Sequence, residues 1–204
     1  MKYCETCREL FGWSDAIDLT EGKCQICGIV GPVNDTKLML NPHLPQVIQL
    51  FGDEYDFLSN FYKIAVPFEG MLWPTSEHSF QGVKTLDEGQ RRLICHAATP
   101  GKAKRLGRTV ELREDWENIK FNMMLRILMS KFRFGTDISN KLLATGDAVL
   151  VEGNNWHDNI WGHCFCEKCR TEVGMNGLGK LLMVVRNQLQ TLETLHRGNH
   201  VLLQ

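Results

Sequence analysis

The chain has 204 residues, of which 43% are hydrophobic and 23% charged, and its formal net charge is −1. That is the make-up of one globular domain with room for a small appendage, and it excludes disordered, collagen-like and coiled-coil chains. A near-neutral chain does not grip nucleic acid by bulk charge, which leaves only a local basic patch for that purpose. The longest apolar runs, such as Leu181 to Val185, fall far short of the roughly 20 residues that a membrane span needs. No apolar stretch follows Met1-Lys2-Tyr3-Cys4, so no secretory signal and no membrane partner are expected, and the location expected is cytoplasmic.

Eight cysteines are many for this length, and seven of them fall in two clusters, with Cys95 alone. In a reducing compartment such clusters point to metal rather than to disulfides. The first is Cys4-x-x-Cys7, then 16 residues, then Cys24-x-x-Cys27. Each Cys-x-x-Cys turn offers two thiolates, and folding the intervening segment back closes a tetrahedron around zinc. Gly28 follows the second turn, and the segment between has too few apolar residues to fold without such a staple. Residues 1–40 therefore read as a zinc ribbon holding structural zinc, and 41–204 as the main domain. The ribbon carries four basic and six acidic residues, so it is a poor phosphate clamp. It braces the main domain or reads a specific feature. Pro32, Pro42 and Pro45 mark residues 34–45 as the linker.

From Phe51 the pattern changes. Alternating apolar residues around Glu69-Gly70 predict a hairpin ending near Trp73. Pro74-Thr75-Ser76 opens a helix expected to run from Glu77 to about Cys95, with Gly82 and Gly89 as weak points. Thr99-Pro100 begins another helix. Residues 116–133 and 178–195 carry apolar stripes of helical period and read as core. The expected fold is mainly α (α+β), a compact helical domain with short hairpins plus the ribbon.

Four constellations carry chemistry. Glu77, Gln81 and Lys84 recur at i, i+4 and i+7, so a carboxylate, an amide and an amine share one helix face. Such a face is either solvated or reactive, and a desolvated lysine is a nucleophile. Thr99 to Arg108 carries +4 without an acid, with Lys102 and Arg105 one turn apart. It reads as a phosphate or diphosphate site, or as a solvated basic helix. Glu152 to Gly162 is a polar loop with Trp156 and Trp161, which can stack on a base or sugar or merely anchor the loop. His163, Cys164, Cys166 and Cys169 then offer a second metal site, with His157 as the other choice of imidazole; the alternative is a set of unligated thiols.

These segments together resemble the NADAR (YbiA-like) domain family. The resemblance rests on Phe57-Leu58-Ser59-Asn60-Phe61, on Thr75-Ser76-Glu77-His78-Ser79-Phe80-Gln81-x-x-Lys84, and on Ala98-Thr99-Pro100-x-x-Ala103-Lys104-x-x-Gly107-Arg108. It continues through Gly146-Asp147-x-x-Leu150-Val151-Glu152, Asp158-x-x-Trp161-Gly162 and Asn176-x-Leu178-Gly179-Lys180-Leu181-Leu182-Met183-x-x-Arg186. The match spans roughly residues 50–190, in order. The ribbon lies outside it, and the cysteine-rich loop at 163–169 departs from the plainer loop of many members.

The resemblance implies a compact, mainly helical fold and N-glycosidase chemistry. Some members cleave the base–ribose bond of early riboflavin-pathway intermediates, and others remove ADP-ribose from modified guanine in nucleic acid. It carries the catalytic role to Glu77, Lys84 and Asp158, with Lys84 forming a Schiff base with the opened sugar in the ADP-ribose branch. Ser59, Asn60, Phe61, Gln81, Trp161 and Asn176 would bind substrate, joined by Lys102, Arg105 and Trp156. The partner expected is an ADP-ribose-containing or phosphoribosyl substrate, including modified nucleic acid. The ribbon reading generates its own test. Cys4→Ser is expected to release zinc and destabilise residues 1–40, read by metal analysis and limited proteolysis.

Overall fold

The computed structural model describes residues 2–3, 19–23, 30–35, 46–169 and 171–201. Cys4, Cys7, Cys24 and Cys27, and with them the proposed ribbon site, lie outside the described residues, as do residues 36–45 of the expected linker. The chain divides into two compact units, 1–50 with 147–179, and 51–146 with 180–204.

The first unit is built from short strands. β1 (Lys2–Tyr3), β2 (Leu19–Lys23) and β3 (Val30–Asp35) form an antiparallel sheet in the order β1-β3-β2. β4 (Val47–Gln49) pairs in parallel with β7 (Val149–Val151), setting Ile48 opposite Leu150. All three β7 residues are buried, as suits a parallel pair. β8 (Gly153–Asn154) pairs in parallel with β9 (His163–Cys164). The β4–β7 partners lie about a hundred residues apart, and local alternation does not register such pairing.

The second unit is mainly helical. A 3-10 helix, Asp53–Leu58, leads to the hairpin of β5 (Val66–Phe68) and β6 (Met71–Trp73). Glu69 and Gly70 turn it, both with positive φ, as the two-residue hairpin turn requires. Then come α1 (Ser76–Gly82), α2 (Glu88–Cys95), α3 (Pro100–Leu106), α4 (Trp116–Lys131) and α5 (Asp137–Leu143). α6 (Gly177–Val201) begins in the first unit and continues through the second. The expected hairpin, the Thr99-capped helix and the two long helices are all present, while α5, with its Thr136 capping box, was not anticipated.

α1 is the central element of this unit. It packs against α2, α3, α4 and the β5–β6 hairpin, and every one of its residues is buried. Thr75 caps it. The Thr75 hydroxyl accepts from the His78 N–H at 3.3 Å and meets His78 Nδ1 at 2.8 Å. His78 Nε2 lies 3.0 Å from the carbonyl of Ala97, which can only accept, so Nε2 carries the proton. Burial holds the His78 pKa below its ordinary value, consistent with a neutral brace between α1 and the end of α2.

The single helix expected over 77–95 is instead two. α1 stops at Gly82, and residues 83–87 separate it from α2. The reason is local. Asp87 accepts from the Gln90 N–H at 2.6 Å and so starts a new helix, a cap signal that the apolar periodicity had obscured. Gly82 lies against the ring of Trp73, and a Cβ there would sit 2.2 Å from Cη2. Trp73 is fully buried and donates its indole N–H to the Phe68 carbonyl at 3.0 Å, so the ring cannot retreat. Gly82→Ala is therefore expected to lower stability by about 1–3 kcal/mol, an overpacking cost, measured by urea denaturation. An unchanged midpoint would mean that the α1–hairpin packing is looser than described.

Candidate functional site

Two charged groups of the sequence motif meet around α1. Glu77 stands in its first turn, 5% exposed, and its backbone N–H donates to the Asn60 carbonyl at 3.0 Å. One turn on, Gln81 Nε2 donates to Glu77 Oε1 at 2.8 Å. Gly107 closes the other side of Gln81, for a Cβ at that glycine would lie 2.1 Å from Gln81 Oε1. Gln81 Oε1 has no hydrogen-bond partner among the described residues, nor does the buried Asn60 Oδ1, whose amide nitrogen contacts Met124 Sδ at 3.6 Å. Two buried acceptors with no donor on this segment are unusual in a settled core.

Lys84 is not on α1 itself. It follows the helix end, its N–H reaching back to the Gln81 carbonyl at 3.4 Å and its own carbonyl accepting from the Arg113 N–H at 2.8 Å. Its Nζ lies 5.7 Å from the Phe80 ring centroid and 5.9 Å from that of Trp116. Burial lowers the Lys84 pKa below the ordinary lysine value. The Glu77 carboxylate opposes that shift, and the positive charges of Lys104 and Arg108 add to it. A half-buried amine between aromatic rings, with a carboxylate acting on it, has both nucleophilic and proton-transfer capacity.

The basic patch divides on inspection. Lys102 and Arg105, the pair singled out by spacing, are exposed on α3. The cations whose charge bears on Lys84 are Lys104, on α3, and Arg108, just beyond its end. Spacing by i, i+4 would have found them. Trp116 and the Asn60 carbonyl, by contrast, leave no local signal in sequence.

Among the other expected site residues of this unit, Ser59 binds its own turn, its hydroxyl accepting from the Phe61 N–H at 3.1 Å. The Ser59 carbonyl accepts from the buried Lys131 Nζ at 2.8 Å. Phe61 is 43% exposed.

In the first unit, residues 152–169 and 171–176 are stitched by side chains to the local backbone. Asn154 Oδ1 accepts from the N–H groups of Trp156 and Asp158, both at 3.2 Å, and its Nδ2 donates to the Asp158 carbonyl at 2.8 Å. Asp158 Oδ1 accepts from the N–H groups of Ile160 and Trp161 at 3.2 and 2.9 Å. Asp158 thus turns the chain with one carboxylate oxygen. Trp156 is 62% exposed, while Trp161 is half-buried. Asn176, expected to bind substrate, is engaged otherwise. Its Oδ1 accepts from the Glu152 N–H at 3.0 Å and its Nδ2 donates to the Leu150 carbonyl at 2.8 Å, so both ends of the amide brace strand β7.

The same loop gathers sulfur. His157, Cys164, Cys166 and Cys169 hold their ligand atoms within 4.8 Å of one another. His157, not His163, is the imidazole of this cluster. His163 is turned away, its Nδ1 accepting from the Gly174 N–H at 3.0 Å and its ring meeting Phe165 edge-on at 4.7 Å.

A profile of the NADAR domain matches residues 49–190. The N-glycosidase YbiA of Escherichia coli is 40% identical over 140 residues, covering 68% of this chain and 84% of that protein. An N-glycosidase of Nostoc punctiforme is 39% identical over 146 residues, covering 69% and 90%. A riboflavin biosynthesis protein of Vibrio vulnificus is 35% identical over 144 residues, but the match covers only 36% of its length. The solution structure of E. coli YbiA superposes with a TM-score of 0.64 at 36% identity, covering 76% of this chain and 92% of that one. The ordered motifs, the profile and the superposition agree, and the chain belongs to the NADAR domain family.

Proposed function

We propose that this protein is an N-glycosidase that hydrolyses a base–ribose bond, and that its substrate is ADP-ribosylated guanine in nucleic acid. The single observation that carries the reaction type is a buried Glu77 carboxylate, held by Gln81, acting on a Lys84 amine whose pKa burial lowers. The relatives named as N-glycosidases support the same class.

Breaking the C1′–N bond develops positive charge on the ribose, and a fixed carboxylate such as Glu77 stabilises it. The departing nitrogen needs a proton. Neutral Lys84 supplies a route that balances. Its Nζ attacks C1′, and its two protons go to the ring oxygen O4′ and to the leaving nitrogen. A Schiff base to the opened sugar and a neutral base remain. Water then adds to the imine and returns the free amine and the sugar aldehyde, which recloses. Asp158 is retained as the second acid on residue type and motif alone. Lys102, Arg105, Lys104 and Arg108 would counter substrate phosphates, a requirement common to both substrate classes.

The Vibrio relative, named for riboflavin biosynthesis, favours a second reading, in which the substrate is a phosphoribosylated intermediate of that pathway. Incubation with ADP-ribosylated guanine DNA and, separately, with the phosphoribosylated pyrimidine separates the two by which base is released. Tight ADP-ribose binding without turnover of either would instead identify a binding module. Lys84→Ala is expected to abolish turnover while the protein stays folded. Borohydride should trap a sugar adduct on wild type and none on the variant; a wild type that turns over without a trapped adduct excludes the imine route.

The environment of Lys84 also orders a pH series. Adduct formation requires the neutral amine, so its rate should rise with pH through an apparent pKa below the ordinary lysine value of about 10.4. Arg108→Ala removes a charge that disfavours the proton, so it should raise that apparent pKa. Glu77→Gln removes one that favours the proton and should lower it, which amine labelling as a function of pH reads even where turnover is lost. An apparent pKa that neither substitution moves would show that Lys84 does not sense these groups.

A further inference from the structure

The loop that carries Asp158 and Trp161 contains a donor set that the glycosidase reading does not use. His157 Nδ1 lies 3.2 Å from Cys169 Sγ and 3.3 Å from Cys166 Sγ. Cys164 Sγ completes the group, and all four atoms fall within 4.8 Å of one another. Zinc bonded to sulfur at ~2.3 Å in a tetrahedron sets sulfur ligands ~3.8 Å apart, so a pair at the 4.8 Å limit closes by about an ångström, while the two His157–sulfur pairs open by a few tenths of an ångström. Cys164 and Cys169 are buried, Cys166 half-buried and His157 exposed, so water reaches the cluster from the His157 side.

The backbone is arranged for the same end. Cys164 is placed by the β8–β9 pairing and by its N–H donating to Asn159 Oδ1 at 2.9 Å. His157 takes a positive φ of 67°, an uncommon conformation for a residue with a Cβ. In that conformation its own N–H donates to Cys164 Sγ at 3.3 Å. An N–H directed at a cysteine sulfur is the outer contact that stabilises a metal-bound thiolate. Three sulfurs and one imidazole nitrogen are a zinc set, since soft thiolates and imidazole in tetrahedral array select that ion.

We propose that His157 Nδ1 and the thiolates of Cys164, Cys166 and Cys169 bind one zinc ion as a closed structural site. Binding releases three thiol protons to solvent, His157 ligates as the neutral imidazole, and the complex carries a net charge of −1. Four protein ligands leave no open position, so the ion does not activate water. It pins His157, and therefore the start of the turn at Asp158, to the far end of the loop at Cys169. The proposal stands on the cluster geometry and does not depend on the glycosidase reading.

Metal analysis of the full chain tests it without any activity measurement. A full-length variant with Cys4, Cys7, Cys24 and Cys27 all changed to Ser should retain about one zinc per chain; retention of none overturns the proposal. Cobalt exchanged into that variant, where all four proposed ligands are intact, should show the absorption of a three-thiolate, one-imidazole tetrahedron. An octahedral spectrum without thiolate charge transfer overturns it. In the otherwise native chain, Cys166→Ser should hold about one zinc fewer than wild type, and equal zinc content counts against the site. His157→Gln should lose the ion and His163→Gln keep it; the opposite pattern overturns the ligand assignment.

Discussion

A carboxylate buried on a helix that is itself buried on every side is the constraint around which the second unit is arranged. Taking an ionised group out of water costs several kcal/mol unless neighbours offset it. Around Glu77 the offset comes from Gln81, one turn along α1, and from the amine of Lys84 just beyond the helix end. Close apolar packing holds the helix in place beside its polar contacts. Trp73 fills the space at Gly82, and Phe80 packs against Trp116 with ring centroids 5.2 Å apart. The same packing desolvates Lys84. One arrangement therefore both buries the Glu77 carboxylate and lowers the affinity of Lys84 for its proton.

The remaining polar residues separate into braces and groups with spare capacity. His78 and Asn176 satisfy their polar atoms within the fold and hold elements together. Asp158 commits one oxygen to the turn that follows it. Gln81 Oε1 and Asn60 Oδ1 accept nothing among the described residues and are enclosed by the packing around α1. A residue inside a family motif is thus not of itself a ligand-facing residue. Asn176 lies in such a motif and is spent on the backbone of β7.

The cysteine-rich loop addresses a different problem. A polar stretch with little apolar surface has few ways to hold one conformation, and this one uses side-chain hydrogen bonds from Asn154, Asp158 and Asn159 together with a sulfur and imidazole cluster. A metal tie across residues 157–169 would limit the loop's motion more strongly than these hydrogen bonds alone, since metal–ligand bonds are shorter and stronger than exposed polar contacts.

Much of this was present in the order of residues. The Glu-Gly turn of the hairpin, the Thr caps, the apolar stripes of α4 and α6 and the family motifs are local patterns, and local patterns follow from chain geometry over a few residues. Tertiary structure decided the rest. It set the ring of Trp73 against Gly82, where a side chain would not fit. It joined β4 to β7 across a hundred residues of sequence, and brought the charges of Lys104 and Arg108, rather than Lys102 and Arg105, to bear on Lys84. It also chose His157 over His163, because a positive φ turned one imidazole toward the thiols while the other bonded a backbone N–H. Spacing along the chain sets which residues are near in sequence; which of them share a dielectric and a hydrogen bond depends on how separate segments pack.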